Sequence, residues 1–459
     1  MQMRIHPNDN VEVHDDGQKY ALRSIRAGEN IMKYGFPIGH ARVDIAEGQK
    51  VDPSNLKSNL TGLGQWEYVP FTMPQKASKE ATFKGYLRTS GEAGIRNELL
   101  IVPTVGCANG VAQKLAKLTG AKAWVHPYGC SQLGGDHETT RKILRGLVHH
   151  PNAGGVLVLG LGCENNQLSD FIPYLGEVDT DRVRFMNLQD CSDEIAECTA
   201  VLEQIKAIMA KDQRTDVPVS KLRIAVKCGG SDGYSGITAN PLVGMVANKF
   251  DEYGATILMS EIPEVFGAEQ VLLSRCDSRE TFDKASDMIQ NFRQYFLDHG
   301  EGIAENPSPG NIAGGISTLE EKSLGCVQKA GYVPLCGALD FGEAPKGGGL
   351  YLVNGPGNDM VAVTTLAACG AQMILFTTGR GTPLCGPVPT LKIATNSALA
   401  QKKPHWMDFD AGVLLSGADR EQTCQALFDL CIATAEGKLS LGEENGYGEI
   451  AIFKNGVTL

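Results

Sequence analysis

The period of the apolar positions changes along this chain. Up to about residue 75, short runs of strand character are separated by Gly-containing turns: Val11 to Val13, Tyr20 to Ile25, Asn30 to Tyr34 and Ala41 to Ile45. This predicts a small all-β module. Gly62 to Lys79 mixes Gly, Pro and Ser with little periodicity and reads as a linker. From Gly85 onward, strand-like and helix-like segments alternate. Apolar runs predict strands at Leu99 to Pro103, Ala121 to Val125, Gly155 to Leu159, Leu222 to Val226 and Thr256 to Met259. Helical spacing predicts helices over Ala108 to Leu118 and His137 to His149. Ser192 is the expected cap of a third, in which Ile195, Cys198, Leu202, Ile205 and Met209 recur on one face. Such alternation implies parallel pairing and an α/β fold. The stretch from Gly302 to Gly315 is rich in Gly, Pro and Asn and predicts a boundary. Strands are expected beyond it at Tyr332 to Leu335 and Met373 to Thr377, with a helix near Met360 to Ala368. The expected organisation is a β module over 1–75, a first α/β domain over 76–305 and a second over 306–459.

Composition narrows the function classes. A chain of 459 residues is too long for one core, and 42% hydrophobic with 21% charged residues is ordinary for a globular protein. The formal net charge of −11 argues against nucleic acid, which wants clustered Lys and Arg, but leaves room for a small anionic substrate in a basic pocket. No segment approaches the roughly 18 uninterrupted apolar residues of a membrane span. The start, Met1 to Asp15, is polar and lacks a signal-peptide core, so a cytoplasmic protein is expected.

Five strand ends in succession carry polar or thiol residues beside Gly or Pro. They are Pro103 to Cys107, His126 to Gln132, Gly160 to Asn166, Lys227 to Asp232 and Ser260 to Glu264. Ligands bind at the carboxyl ends of strands in open α/β sheets, so five such loops point to one shared pocket. Cysteine stands in four of them: Cys107, Cys130, Cys163 and Cys228. Each is either a small residue filling a tight loop or a soft ligand of a metal or iron–sulfur cluster. Glu164 and Glu261 are either ordinary loop carboxylates or hard ligands and proton carriers. His126 and His137 bracket the second loop. Glu320, Glu321 and Lys322 read as a solvated helix face or, beside Asn311 and Cys326, as part of a site. Asn358 or Asp359 is the expected cap of the helix near Met360. Thr378 and Arg380, after a strand, suit a substrate carboxylate or hydroxyls. No G-x-G-x-x-G or P-loop pattern supports nucleotide binding.

These motifs carry a resemblance. Gly85-Tyr86-Leu87-Arg88, Gly94-Ile95-Arg96-Asn97, Pro103 to Cys107, His126 to Gln132, Asn152 to Gln167, Cys228 to Pro241 and Asn311 to Cys326 resemble the catalytic region of the altronate/galactarate dehydratase family, over nearly all of Gly85 to Gly412. The first module resembles that family's SAF-like (β-clip) domain through Ala27-Gly28, Lys33-Tyr34-Gly35, Pro37-Ile38-Gly39 and Asp44-Ile45-Ala46. It departs where family members commonly carry histidine: Gln18 stands at one such place, and Asp52 to Asn55 replaces a histidine-containing segment.

The resemblance implies a SAF-like domain followed by Rossmann-like α/β domains with mainly parallel sheets. It implies a homo-oligomer whose substrate is a small anionic sugar acid. The implied reaction takes water from a 2,3-dihydroxy acid, giving an enol that becomes a 2-keto-3-deoxy acid. Proton removal next to a carboxylate concentrates negative charge, which a divalent metal would stabilise as a Lewis acid. Fe²⁺ is the expected metal, with Mn²⁺ or an iron–sulfur cluster as alternatives. Expected metal-binding residues are Cys107, Cys163, Cys228 and Glu261. Expected acid–base groups are His137, Lys322 and Glu164. Substrate contacts are expected from Arg380, Thr378, Asn311, Ser231 and Asp232. A related lyase such as a sulfolactate sulfo-lyase, or a non-catalytic sugar-acid binding protein, are the competing readings.

Overall fold

The computed structural model describes residues 3–73 and 79–459. The part of the expected linker from Pro74 to Ser78 lies outside the described residues. The N-terminal module holds two three-stranded antiparallel sheets, one of Val11–Val13, Lys19–Ala21 and Lys50–Val51, the other of Asn30–Lys33, Phe36–Ala41 and Leu56–Lys57. Alternation drives this: Val11 and Val13 are buried while Glu12 between them is not. The strand expected over Ala41 to Ile45 instead ends at Ala41, and Ile45 makes only a bridge to Ile25.

Two parallel sheets follow, the mixed α/β architecture that the period change predicts. A four-stranded sheet runs in the order Lys122–Ala123, Glu98–Pro103, Ala153–Gly160, Val183–Asn187. A seven-stranded sheet runs Leu335–Leu339, Gly349–Val353, Thr256–Met259, Arg223–Cys228, Met373–Thr378, Thr390–Ala394, Phe409–Asp410. A small antiparallel sheet of Thr215–Pro218, Thr82–Leu87 and Ala93–Gly94 lies where the chain passes between the two. The boundary expected at 305/306 therefore runs through the larger sheet, which takes strands from both sides of it. The Gly-rich stretch there is a long connection within that sheet, and local composition does not reveal which strands pair.

Strand order places the site. Arg223–Cys228 is first of its sheet in sequence yet central in space. The chain builds outward on one side through Thr256–Met259, then crosses to the other side at Met373–Thr378. Neighbouring strands whose connections run opposite ways leave a crevice at their carboxyl ends. The two parallel sheets meet where the helix Gly134–Val148 crosses the helix Asp359–Ala368. At the crossing a Cβ on Gly146 would lie 2.1 Å from the Ala368 carbonyl oxygen, so only glycine permits the approach.

Local expectations fare unevenly. Asp193, not Ser192, caps the helix Glu194–Met209, accepting from the Ala196 N–H. Asn358 caps the helix Asp359–Ala368, accepting from Val361 N at 3.2 Å. The strand expected at Tyr332 to Leu335 is displaced to Leu335–Leu339, with Tyr332 85% exposed in the preceding turn.

Candidate active site

The strand Arg223–Cys228 ends Ala-Val-Lys-Cys, all buried. A lysine inside a strand buried on both faces must be paired. Lys227 Nζ lies 2.6 Å from Asp359 Oδ1 and 2.8 Å from Glu261 Oε1. Burial opposes its charge, but Glu261 and Asp359 outweigh burial and raise its pKa well above the ordinary lysine value. Glu261, at the end of Thr256–Met259, adopts φ 73°, a left-handed conformation that is strained for glutamate. Its Oε1 meets Lys227 as an ion pair but lacks a well-aligned hydrogen bond, and the neighbouring Ser260 Oγ is buried without a partner among the described residues. Burial, with Glu264 adding to it, pushes the Glu261 carboxyl up. Glu264 moves the other way. Burial opposes its charge, yet Lys322, Lys227 and Lys329 together pull it down.

Lys322 comes from the helix Leu319–Cys326. Its Nζ sits 2.7 Å from Glu264 Oε1 and donates to Asn306 Oδ1 at 3.3 Å and Asn311 Oδ1 at 3.5 Å. Despite burial, Glu264 raises its pKa, so Lys322 stays charged. At the end of the same helix, Cys326 Sγ reaches Glu264 Oε2 at 3.2 Å. The adjacent Cys228 sulfur and burial push Cys326 up, and the same contact, helped by Lys329, holds Cys228 well below the ordinary thiol range. Cys228 Sγ is 2.8 Å from Ser231 Oγ. Asn240 Nδ2 approaches that sulfur at 3.8 Å, and Asn240 Oδ1 accepts from Thr377 at 2.6 Å. Beside this cluster lies a narrow cavity lined by Tyr34, Ser231, Asp232, Asn240, Lys322 and Cys326, among others.

The N-terminal module forms one wall of this site. Glu321 is clasped by two of its lysines, Lys19 at 2.9 Å and Lys33 at 2.7 Å, with all three side chains 1% exposed. Ser58 Oγ donates to Glu320 at 2.9 Å, and Thr318 Oγ1 donates to the Ile38 carbonyl at 2.6 Å. Glu320 and Glu321 are therefore buried against the module, and Lys322 against Glu264, instead of forming a solvated face. Gln18 Nε2 donates to the Ala313 carbonyl at 3.4 Å, so Gln18 borders the same seam.

The remaining candidates divide. Asn311 Nδ2 donates to the Ser231 carbonyl at 2.9 Å, which joins Asn311, Ser231 and Lys322 into one cluster. Asp232 is occupied by Thr395 Oγ1, Asn396 Nδ2 and Ser235 Oγ and ties its own loop to that of Thr395. Thr378 Oγ1 accepts from the Gly381 N–H at 2.9 Å, and Arg380 is exposed with one N–H on the Gly310 carbonyl. His137 lies on the helix Gly134–Val148, with Nε2 buried and without a partner among the described residues, and its pKa lowered by burial and Arg141. His126 Nε2 lies 2.8 Å from the Pro103 carbonyl oxygen, and burial pushes its pKa down to about 4. Glu164 accepts from Thr104 Oγ1, Leu161 N and Gly162 N and closes its own loop.

The four side chains expected around one metal are divided between the sheets. Cys228 and Glu261 belong to the buried cluster, while Cys107 and Cys163 are exposed at the edge of the four-stranded sheet. Among the described residues no three His, Cys, Asp or Glu side chains group as a site for one metal ion. Lys227 already faces Glu261, so these donors do not fit a divalent ion at the larger sheet. Sequence order cannot tell which of two sheets a strand joins. Lys227 and Glu264 fall within two of the five polar loops without an expected role of their own, and Lys329 lies outside them. The detectable signal was a lysine within an otherwise apolar strand.

Comparison with known proteins settles the lineage. Three family models match in succession: "Altronate/galactarate dehydratase SAF domain" over 2–59, "D-galactarate dehydratase/Altronate hydrolase, second domain" over 85–211 and "D-galactarate/Altronate dehydratase, C-terminal" over 219–458. The altronate dehydratases of Bacillus subtilis (strain 168) and Escherichia coli (strain K12) are each 48% identical, over 98% of this chain and 94% of theirs. This chain belongs to the altronate/galactarate dehydratase family. A third relative, the galactarate dehydratase (L-threo-forming) of Escherichia coli (strain K12), is 31% identical over 93% of this chain and 87% of its own. The SAF-domain match over 2–59 covers the module that walls the buried cluster. Among the described residues no helix is long and apolar enough to cross a membrane.

Proposed function

We propose that this chain is a hydro-lyase that removes water from an altronate-type sugar acid, yielding a 2-keto-3-deoxy acid. The observation that carries this reading is the 48% identity to altronate dehydratases along 98% of the chain. The buried lysine–carboxylate cluster at the switch point of the larger sheet supports the same reading. Abstracting the proton beside a carboxylate leaves negative charge on the substrate, which Lys322 and Lys227 are positioned to offset. Lys322 stays protonated, so its part is electrostatic. Glu261 is strained, desolvated and short of a well-aligned hydrogen bond, and it is the proposed proton carrier. Asn311 and Ser231 orient the substrate's hydroxyls, and Arg380 stands at the exposed rim.

The test is a panel of altronate, galactarate and related sugar acids, run anaerobically with iron supplied and assayed for 2-keto acid. Keto-acid formation from altronate is expected. Turnover of sulfolactate with release of sulfite, and none with sugar acids, would assign a different lyase. Absence of turnover with every acid would leave a binding protein.

A further inference from the structure

A hydroxyl that leaves as water must receive a proton. In the proposed reaction Glu261 accepts one, and Lys322 is held by Glu264, Asn306 and Asn311. Another group reaches the cavity beside Lys322 from a different part of the fold. Tyr34 and Gly35 form the two-residue turn between the strands Asn30–Lys33 and Phe36–Ala41 of the N-terminal module. Both have positive φ, 61° and 80°. Such a turn favours Asn or Gly in its first place, because a larger side chain there crowds the following carbonyl oxygen. Tyrosine in that place is strained, and strain of this kind gathers at functional sites.

The hydroxyl end of Tyr34 lies between two bare stretches of backbone. A Cβ on Gly236 would stand 2.4 Å from Tyr34 Oη, and one on Gly325 would stand 3.5 Å from it. Gly236 lies in the loop between the strand Arg223–Cys228 and the helix Ala239–Glu252, and Gly325 belongs to the helix that carries Lys322. Both glycines line the narrow cavity together with Tyr34, Ser231, Lys322 and Cys326. A phenol brought to this depth carries a polar group that packing alone does not require. Beside it stands a fixed charge. Lys33 Nζ lies 4.9 Å from the centre of the Tyr34 ring and 2.7 Å from Glu321 Oε1. Burial pushes the Tyr34 phenol up to about 12, with Lys33 opposing, so the hydroxyl keeps its proton at neutral pH.

We propose that Tyr34 is the catalytic acid of this site, giving its phenolic proton to the hydroxyl that the sugar acid loses. This inference rests on the proposed dehydration and adds to it a reacting group from the N-terminal module. The proton on the carbon beside the carboxylate passes to Glu261. Its bonding pair becomes the new carbon–carbon double bond. The neighbouring C–O bond breaks with its pair on oxygen, and the Tyr34 proton turns that oxygen into water. The phenolate is left beside the Lys33 ammonium, a charge already in place where water does not screen it. Glu261 then gives its proton to solvent and Tyr34 takes one back.

The test compares wild type with Tyr34→Phe on two substrates. One is the sugar acid that wild type converts to a 2-keto acid, and the other is its analogue with fluorine in place of the departing hydroxyl. Fluoride leaves as an anion and needs no proton. With the hydroxy acid, Tyr34→Phe should lower kcat by about 10²-fold or more with little change in KM. With the fluoro acid, followed as released fluoride, the two proteins should be nearly equal, which also shows the variant to be folded and competent. Equal losses on both substrates would make Tyr34 a structural wedge and overturn the assignment. An undiminished kcat on the hydroxy acid would overturn it too, and would leave the dehydratase reading standing. Wild type that converts no sugar acid would sink both.

Discussion

At the scale of single residues, the site depends on charges that water does not screen. Glu261 combines a left-handed backbone, an ion-paired oxygen without a well-aligned hydrogen bond and a carboxyl pushed up by burial. Glu261→Gln keeps the shape and removes the proton carrier. It should lower kcat by about 10²-fold or more with an unchanged circular dichroism spectrum. Glu264 sets a pH dependence. Its folded-state pKa lies below the ordinary 4.5, because Lys322 and its fellow lysines outweigh burial. It therefore contributes stability above pH 4.5 that is lost as pH falls below that value. Melting temperatures recorded between pH 6 and 3 should decline, and Glu264→Gln, less stable at pH 6, should show a flatter decline.

Helix and strand ends put those residues in place. Asn358 caps the helix whose first residue, Asp359, pairs with Lys227, so one cap serves both the fold and the site. Asn358→Ala should cost about 1 kcal/mol in denaturant unfolding. It should also weaken kcat/KM as the Asp359 end of the helix frays. The helix Leu319–Cys326 depends on the N-terminal module instead. Glu320, Glu321 and Lys322 look like a solvated turn when read by residue type, since charged triplets usually are. Burial against Lys19, Lys33 and Ser58 overturns that reading.

The molecule as a whole is held at this seam by an ion triad with almost no exposure. Its single carboxylate serves two lysines, so Glu321→Gln leaves Lys19 and Lys33 buried without compensation and should destabilise the protein by about 3 kcal/mol in calorimetry. An exposed pair such as Arg279–Asp283 makes the contrast, and Arg279→Ala should leave the melting temperature nearly unchanged. Activity in Glu321→Gln should fall with the loosened seam even at temperatures where the protein stays folded, since Glu321 and Tyr34 line the cavity next to Lys322.

The sequence by itself determined the elements and their order. Apolar period 2 made the first module β, and alternating strands and helices made the rest α/β with parallel sheets. Gly and polar residues marked the strand ends that carry chemistry, and long motifs marked the family. These are local properties, written in nearest neighbours along the chain. Tertiary structure alone decided which strand ends meet. Two parallel sheets of similar sequence character sort Cys107, Cys130 and Cys163 to one edge and Cys228 with Glu261 to the other. The 305/306 boundary vanishes into a single sheet for the same reason. Pairing between strands far apart is set by how well whole faces pack, and no stretch of sequence carries that information alone.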